Sequence, residues 1–172
     1  MRESLKFINR SLSSELIGAE IGVRTGDNAL VMLTSMNIKK LYLIDHYRSH
    51  IEHSGIKVTD EQQLLFYKAM FQKLTPFIDK IHLLPAPSAL ASTLFEDNFF
   101  DFVYIDAGHR YEQVLEDMNL WYPKVRSKGI LCGHDFNNKC TPDVIRAVKD
   151  FCKLKKLPIY NLGDIDWITI KE

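Results

Sequence analysis

Cysteine, net charge and long apolar runs are all scarce in this chain, and each shortage excludes something. Its three cysteines, Cys132, Cys140 and Cys152, are odd in number and lack Cys-x-x-Cys spacing. That pattern argues against a disulfide framework and for reduced thiols in an intracellular, cytoplasmic setting. The 22 basic and 22 acidic residues cancel, so no global field draws the protein to nucleic acid or to an anionic membrane surface. Two local basic runs, Lys124, Arg126 and Lys128, and Lys153, Lys155 and Lys156, are read as solvated faces. No apolar run is long enough to span a bilayer, no signal peptide is evident, and a membrane partner is not expected. Internal repeats and low-complexity stretches are also absent.

What remains is enough for one compact domain over residues 1–172: 46% of the residues are hydrophobic and 26% charged, and a chain of 172 residues can bury a core without staples. Apolar runs of strand length alternate with segments of helical period, the pattern of a mainly parallel α/β sheet. Strands are expected at 17–21, 41–45, 80–84, 101–106, 129–133, 157–160 and 166–170. Between them, helices are expected from Asp60 through Leu74, with Gln63 completing a cap, from Tyr111 to Tyr122, and from Asp143 to Leu154 after Thr141 and Pro142. One further helix, Ser4 to Leu16, precedes the first strand. Only Asn161-Leu162-Gly163-Asp164 joins the last two strands, which is too short for a crossover helix, so they are expected to pair as an antiparallel hairpin at the sheet edge.

The stretch Ile17-Gly-Ala-Glu20-Ile-Gly22-Val-Arg24-Thr-Gly26-Asp27-Asn28 reads as a buried strand ending in an acid and a glycine-bearing turn. Gly22 and Gly26 permit positive φ and close backbone approach, while Asp27 or Asn28 can cap the helix that follows. A second apolar run, Leu41-Tyr-Leu-Ile44, ends in Asp45, about where an α/β crevice sets an acid against a ribose. Asp106 and Asp135 each follow a strand in the same way. If those strands are neighbours, the two carboxylates stand roughly 5 Å apart, and a cation between them relieves their repulsion.

Seven strands, five parallel and then a hairpin, together with these residues resemble the class I S-adenosylmethionine-dependent methyltransferases over nearly the whole chain. Glu20-Ile-Gly22-Val-Arg-Thr-Gly26 is similar to that family's first motif, and Asp45 matches its ribose-binding acid. More specific are Phe102-Val-Tyr-Ile-Asp106-Ala-Gly-His109-Arg-Tyr-Glu112, with Asp117 and Trp121, and Gly129-Ile-Leu-Cys-Gly-His134-Asp135-Phe136. These resemble the small-molecule and sugar O-methyltransferase branch that includes the macrocin O-methyltransferase type. The resemblance implies a Rossmann-like α/β fold with helices on both faces and an enzyme that methylates a hydroxyl of a small molecule or saccharide.

It further implies that Glu20, Gly22, Gly26, Asp45, Ser88 and Asp106 bind S-adenosylmethionine, with Ser88 near the adenine, although Ser88 can equally cap a helix from Ala89 to Leu94. Asp106, His109, His134 and Asp135 are the expected catalytic group, with His109 the preferred base. Asp106, His134 and Asp135 are the expected ligands of a divalent metal, Mg²⁺, Mn²⁺ or Zn²⁺; a ligating histidine shifts preference away from Mg²⁺ and toward Mn²⁺, Fe²⁺ or Zn²⁺.

Arg24 stands where the commonest form of the first motif has its middle glycine, so its side chain must leave the crevice or cover the cofactor's carboxylate. Having one helix before the first strand implies an acceptor site that is open or completed by a second subunit in a homo-oligomer. His46, His50 and His53 have helical spacing, but their loop reads as solvated or substrate-covering rather than metal-binding. A nucleic-acid partner is not expected, because no Asn/Asp-Pro-Pro-Tyr-like base-flipping motif is present. A cofactor-binding module that has lost turnover is the competing reading.

Overall fold

The computed structural model describes every residue except Ser13, His53, Asn137, Asn138, Gly163 and Asp164. A six-stranded sheet forms its centre, in the order β5 (Ile81–Leu84), β2 (Ile38–Ile44), β1 (Leu16–Ile21), β6 (Phe100–Ile105), β7 (Val125–Gly133) and β8 (Trp167–Ile170). The first five of these run parallel, and β8 is antiparallel to β7. Five parallel strands need covering on both faces, because crossover helices must pack somewhere and the strands are apolar on both sides. One face is covered by α4 (Ser88–Ser92), α5 (Tyr111–Trp121) and α6 (Pro142–Lys155), around Trp121, Phe100, Val103, Phe151 and Trp167. The opposite face carries α1 (Glu3–Ser11), α2 (Asp27–Ser35) and α3 (Asp60–Leu74), around Leu5, Ile8, Met32, Met70 and Tyr104.

The expected α/β architecture holds, with one correction to the strand count. The main sheet has six strands, not seven, because the segment 157–160 contributes only an isolated antiparallel bridge between Tyr160 and Ile168. Two reciprocal backbone bonds, at 2.9 and 3.0 Å, make that bridge, and Pro158 offers no amide to extend the ladder. The antiparallel edge is therefore made by β8 against β7, across α6. Part of the expected hairpin turn, Gly163 and Asp164, lies outside the described residues.

A small antiparallel pair, β3 (His50–Ile51) with β4 (Lys57–Val58), occupies the segment expected to be a loop. The cap of α3 also shifts by one residue. Thr59 and Gln62 form the reciprocal capping box, rather than Asp60 with Gln63, because Thr59 accepts the Gln62 amide while the Gln62 side chain accepts the Thr59 amide. The first helix ends at Ser11, five residues before its expected end at Leu16, which instead opens β1. Among the described residues no helix is long and apolar enough to cross a membrane.

Strand register fixes the line along which the candidate residues stand. Ile21 lies opposite both Ile44 and Ile105, and Ile105 lies opposite Gly133. The next residue on each strand is then Gly22, Asp45, Asp106 or His134, abreast along one edge of the sheet. This is the edge formed by the carboxyl ends of the parallel strands, and the chain reverses direction across the sheet between β1 and β6. In an open α/β sheet that is where ligands bind.

Candidate active site

The cofactor half is built around β1 and β2. Glu20, 1% exposed, accepts from the Asn28 side chain at 3.1 Å through Oε1, while its Oε2 has no hydrogen-bond partner among the described residues. Burial pushes its pKa up to about 8, with the Asn28 bond pulling the other way. A buried carboxyl oxygen without a partner is costly unless something supplies a donor. Asn28 therefore points at Glu20 rather than capping α2. Gly26 takes the N-cap position with φ of 72°, and no side chain caps the helix. Gly22 has φ of 87°, and a Cβ there would lie 2.1 Å from the Asp106 carbonyl oxygen, so the contact that demands glycine is β1 against β6.

Asp45 ties this loop together. Its Oδ2 accepts the amides of Val23 at 3.0 Å and Arg24 at 2.9 Å, and its Oδ1 accepts the Tyr47 amide at 3.0 Å. A carboxylate has about four acceptor positions, so Oδ1 retains capacity for a hydroxyl donor. Arg24 resolves its alternatives by turning outward: with φ of 51° its guanidinium lies 4.9 Å from the centre of the Phe66 ring on α3. The Tyr47 hydroxyl donates to the Arg24 carbonyl at 3.0 Å and closes the turn from the other side. The orphaned Glu20 oxygen and the Asp45 carboxylate fit a cofactor that carries hydroxyl and ammonium donors.

Ser88 is engaged differently from either expectation. Its hydroxyl donates to Asp117 and accepts from the Trp121 indole at 2.8 Å. It therefore joins α4 to α5, and it is the first residue of α4 rather than its cap. Asp117 is buried, and burial raises its pKa to about 6.

The acceptor half lies at the tips of β6 and β7. Ligand atoms of Asp106, His134 and Asp135 all lie within 4.8 Å of one another, the arrangement anticipated for a divalent cation. His134 Nδ1 is 3.3 Å from Asp135 Oδ2 and 3.8 Å from Asp106 Oδ1. Two oxygens and an imidazole nitrogen form a donor set that suits Mn²⁺, Fe²⁺ or Zn²⁺ better than Mg²⁺. Asp135 has φ of 64°, a conformation that costs a non-glycine residue energy and that surrounding contacts must hold. One such contact is Thr141, whose hydroxyl donates to the Asp135 carbonyl at 3.1 Å. His109 Nε2 lies 2.8 Å from Asp135 Oδ2, and pairing with that carboxylate raises the His109 pKa against the opposing effect of burial. Burial raises the Asp106 pKa to about 6, with Arg2 opposing and Asp135 reinforcing the shift.

Two residues that sequence reasoning missed complete this half. Asp166, 3% exposed, accepts from Ser4, from the Tyr104 hydroxyl at 3.2 Å and from Arg2 at 3.3 Å, and it lies 3.9 Å from His134 Nε2. Arg2 also approaches Asp106 at 3.8 Å. A signal for Asp166 did exist: it precedes an antiparallel strand, so it falls at the same edge as residues that follow parallel ones. Arg2 had none. Of the histidine trio, His46 and His50 stand edge to face at 5.4 Å, and His53 lies outside the described residues. Beside His109 a recess of about 400 Å³ is lined by Arg110, Glu112, Cys140, Thr141 and Asp143.

Residues 19–136 match the family model described as a methyltransferase domain, a span that holds the cofactor half and, in the acceptor half, Asp106, His109, His134 and Asp135. The chain belongs to the methyltransferase domain family. It is accordingly an S-adenosylmethionine-dependent methyltransferase. Solved structures agree in fold. CalS11, a TDP-rhamnose 3'-O-methyltransferase of calicheamicin biosynthesis, is 13% identical, with 98% of this chain and 77% of that one covered and a TM-score of 0.65. SMU.1697c of Streptococcus mutans, solved in complex with SAH, is 14% identical over 99% of this chain and 96% of that one, with a TM-score of 0.68. An rRNA methylase of Streptococcus thermophilus is 12% identical over 98% and 92%, with a TM-score of 0.63. Among curated proteins none matches the sequence.

Proposed function

We propose that this methyltransferase transfers the methyl group to a hydroxyl of a small molecule or saccharide, as the macrocin-type branch does. The observation that carries the reading is the cluster of Asp106, His109, His134 and Asp135 at the strand tips next to the cofactor half. S-adenosylmethionine supplies an electrophilic methyl and a good leaving group, so the protein's main task is to hold the acceptor oxygen in line and remove its proton. Glu20, Gly22, Gly26 and Asp45 hold the cofactor, with Asp106 between the two halves; the Asp45 carboxylate takes the ribose hydroxyls. Ser88 acts through α4, on the adenine side, by fixing Asp117 and Trp121. His109, held at Nε2 by Asp135, takes the hydroxyl proton. Asp106, His134 and Asp135 are the residues that would hold a divalent ion, whose contribution would be to make the acceptor oxygen more acidic. The recess beside His109 has the volume of a small-molecule site and receives the acceptor. It is open or completed by a second subunit, and residues 1–172 form one catalytic domain in the cytoplasm.

A nucleic-acid acceptor is the second reading, favoured by the fold shared with an rRNA methylase. The balanced charge, 22 basic against 22 acidic residues, weighs against it. Methyl transfer from labelled S-adenosylmethionine to panels of sugars, phenols, polyketides and structured RNA decides among the readings. Transfer to a hydroxyl in a small-molecule panel is the expected result. Binding of cofactor with no transfer to any panel would favour a module without turnover, and transfer to RNA with steep salt dependence would favour the second reading.

A further inference from the structure

An arginine of the chain itself approaches the acid cluster. Arg2 directly precedes α1, and α1 is fixed to the sheet by Leu5 and Ile8, both wholly buried, and by the Ser4 hydroxyl on Asp166. That anchoring delivers the guanidinium to a gap between two strand ends. Nη1 lies 3.3 Å from Asp166 Oδ1, and Nη2 lies 3.8 Å from Asp106 Oδ2. The guanidinium carbon also stands 5.9 Å from the centre of the Tyr104 ring. Asp106 is thereby shared, since its Oδ1 faces His134 while its Oδ2 faces Arg2.

We propose that Arg2 is a resident cation that competes with a divalent metal ion for the Asp106, His134 and Asp135 cluster and so sets its metal affinity low. The inference rests on reading that cluster as able to hold a metal. A guanidinium donates hydrogen bonds and carries one delocalised charge, so it neutralises carboxylates without offering a coordination position to an acceptor oxygen. A divalent ion entering beside it meets like-charge repulsion and finds one Asp106 oxygen already facing a donor. The competition is incomplete, because among the described residues three carboxylates, Asp106, Asp135 and Asp166, converge on one guanidinium, His109 and His134. The cluster retains anionic character with Arg2 in place. Arg2 is also partly exposed, at 31% of its side chain, so solvent screens part of the effect.

Mn²⁺ alone serves as the probe, with free ion counted by electron paramagnetic resonance in the presence of wild type, Arg2→Met, Arg2→Lys and Asp106→Asn. Arg2→Met is expected to bind Mn²⁺ about tenfold more tightly than wild type, a change of about 1.4 kcal/mol, while Arg2→Lys stays close to wild type and Asp106→Asn loses the site. Circular dichroism of each variant confirms the fold, and the lysine variant tests charge at the position should the methionine variant be perturbed. Affinity in Arg2→Met equal to or weaker than wild type would overturn the proposal, as would Arg2→Lys binding as tightly as a neutral substitution, or no Mn²⁺ binding by any form. Neither methyl donor nor acceptor takes part in the measurement. A failure to methylate hydroxyl compounds would therefore count against the proposed reaction and leave the Mn²⁺ result standing.

Discussion

The two halves of the site lie along one sheet edge but are made of different material. Around Asp45 the cofactor half is mostly backbone: three amides from Val23, Arg24 and Tyr47 converge on one carboxylate, within a turn shaped by Gly22 and Gly26. Around Asp135 the acceptor half is side chains, drawn from the segments that follow β6 and β7, the segment before β8 and the residue before α1. Backbone cradles are specified locally, because turn geometry and glycine positions lie within a few residues. Side-chain clusters need distant segments to meet, and their properties depend on which charges arrive. One half can thus keep a common donor while the other changes acceptor, the division expected when function is carried by a site set on a shared fold.

The largest expected effect separates the halves by turnover. His109→Gln should lower methyl transfer by about a thousandfold while leaving cofactor affinity within a few-fold of wild type, measured by labelled-methyl transfer alongside calorimetry. A parallel loss of cofactor binding would break the division. Next in size is the pH response of the ligand-free protein. Glu20 has its folded pKa raised from 4.5 to about 8 by burial, so the folded state holds the proton more tightly than the unfolded chain does. Stability associated with Glu20 is fully present below pH 4.5 and is lost as pH rises towards 8. Glu20→Gln removes that loss, and denaturant unfolding should show the variant gaining on the order of 3 kcal/mol relative to wild type between pH 5 and pH 9. A constant difference across that range would contradict the buried, unpaired carboxyl.

In the acceptor half, Asp166→Asn should cost about 2 kcal/mol in urea unfolding, since the buried acid serves Arg2, Ser4 and Tyr104 together. The smallest effect concerns Ser88. Ser88→Ala should destabilise by about 1 kcal/mol through loss of its bonds to Asp117 and Trp121, with cofactor affinity nearly unchanged. A large fall in affinity at unchanged stability would instead place the serine against the ligand.

The same contrast explains what the sequence disclosed. The five parallel strands, both acids of the cofactor half and the acids after β6 and β7 could be located, because short continuous apolar runs and the residues that end them are local signals. The seventh strand did not materialise: a short apolar segment interrupted by Pro158 satisfies a strand pattern, yet pairing depends on how many amides face the neighbour. Asn28 reads as a cap from spacing alone, and only tertiary structure shows Glu20 buried beside it. Arg2 could not be placed at all, since nothing in the first few residues signals that α1 docks across β7 and carries a guanidinium to Asp106.

Titrating S-adenosylhomocysteine calorimetrically into wild type and Asp45→Ala asks whether the edge shared by β1, β2 and β6 is a pocket for a sulfonium methyl donor. Saturable binding of one ligand per wild-type chain, weakened by about tenfold or more in the variant, is the predicted result. No heat from wild type at millimolar ligand, or equal affinity in the two proteins, would contradict it.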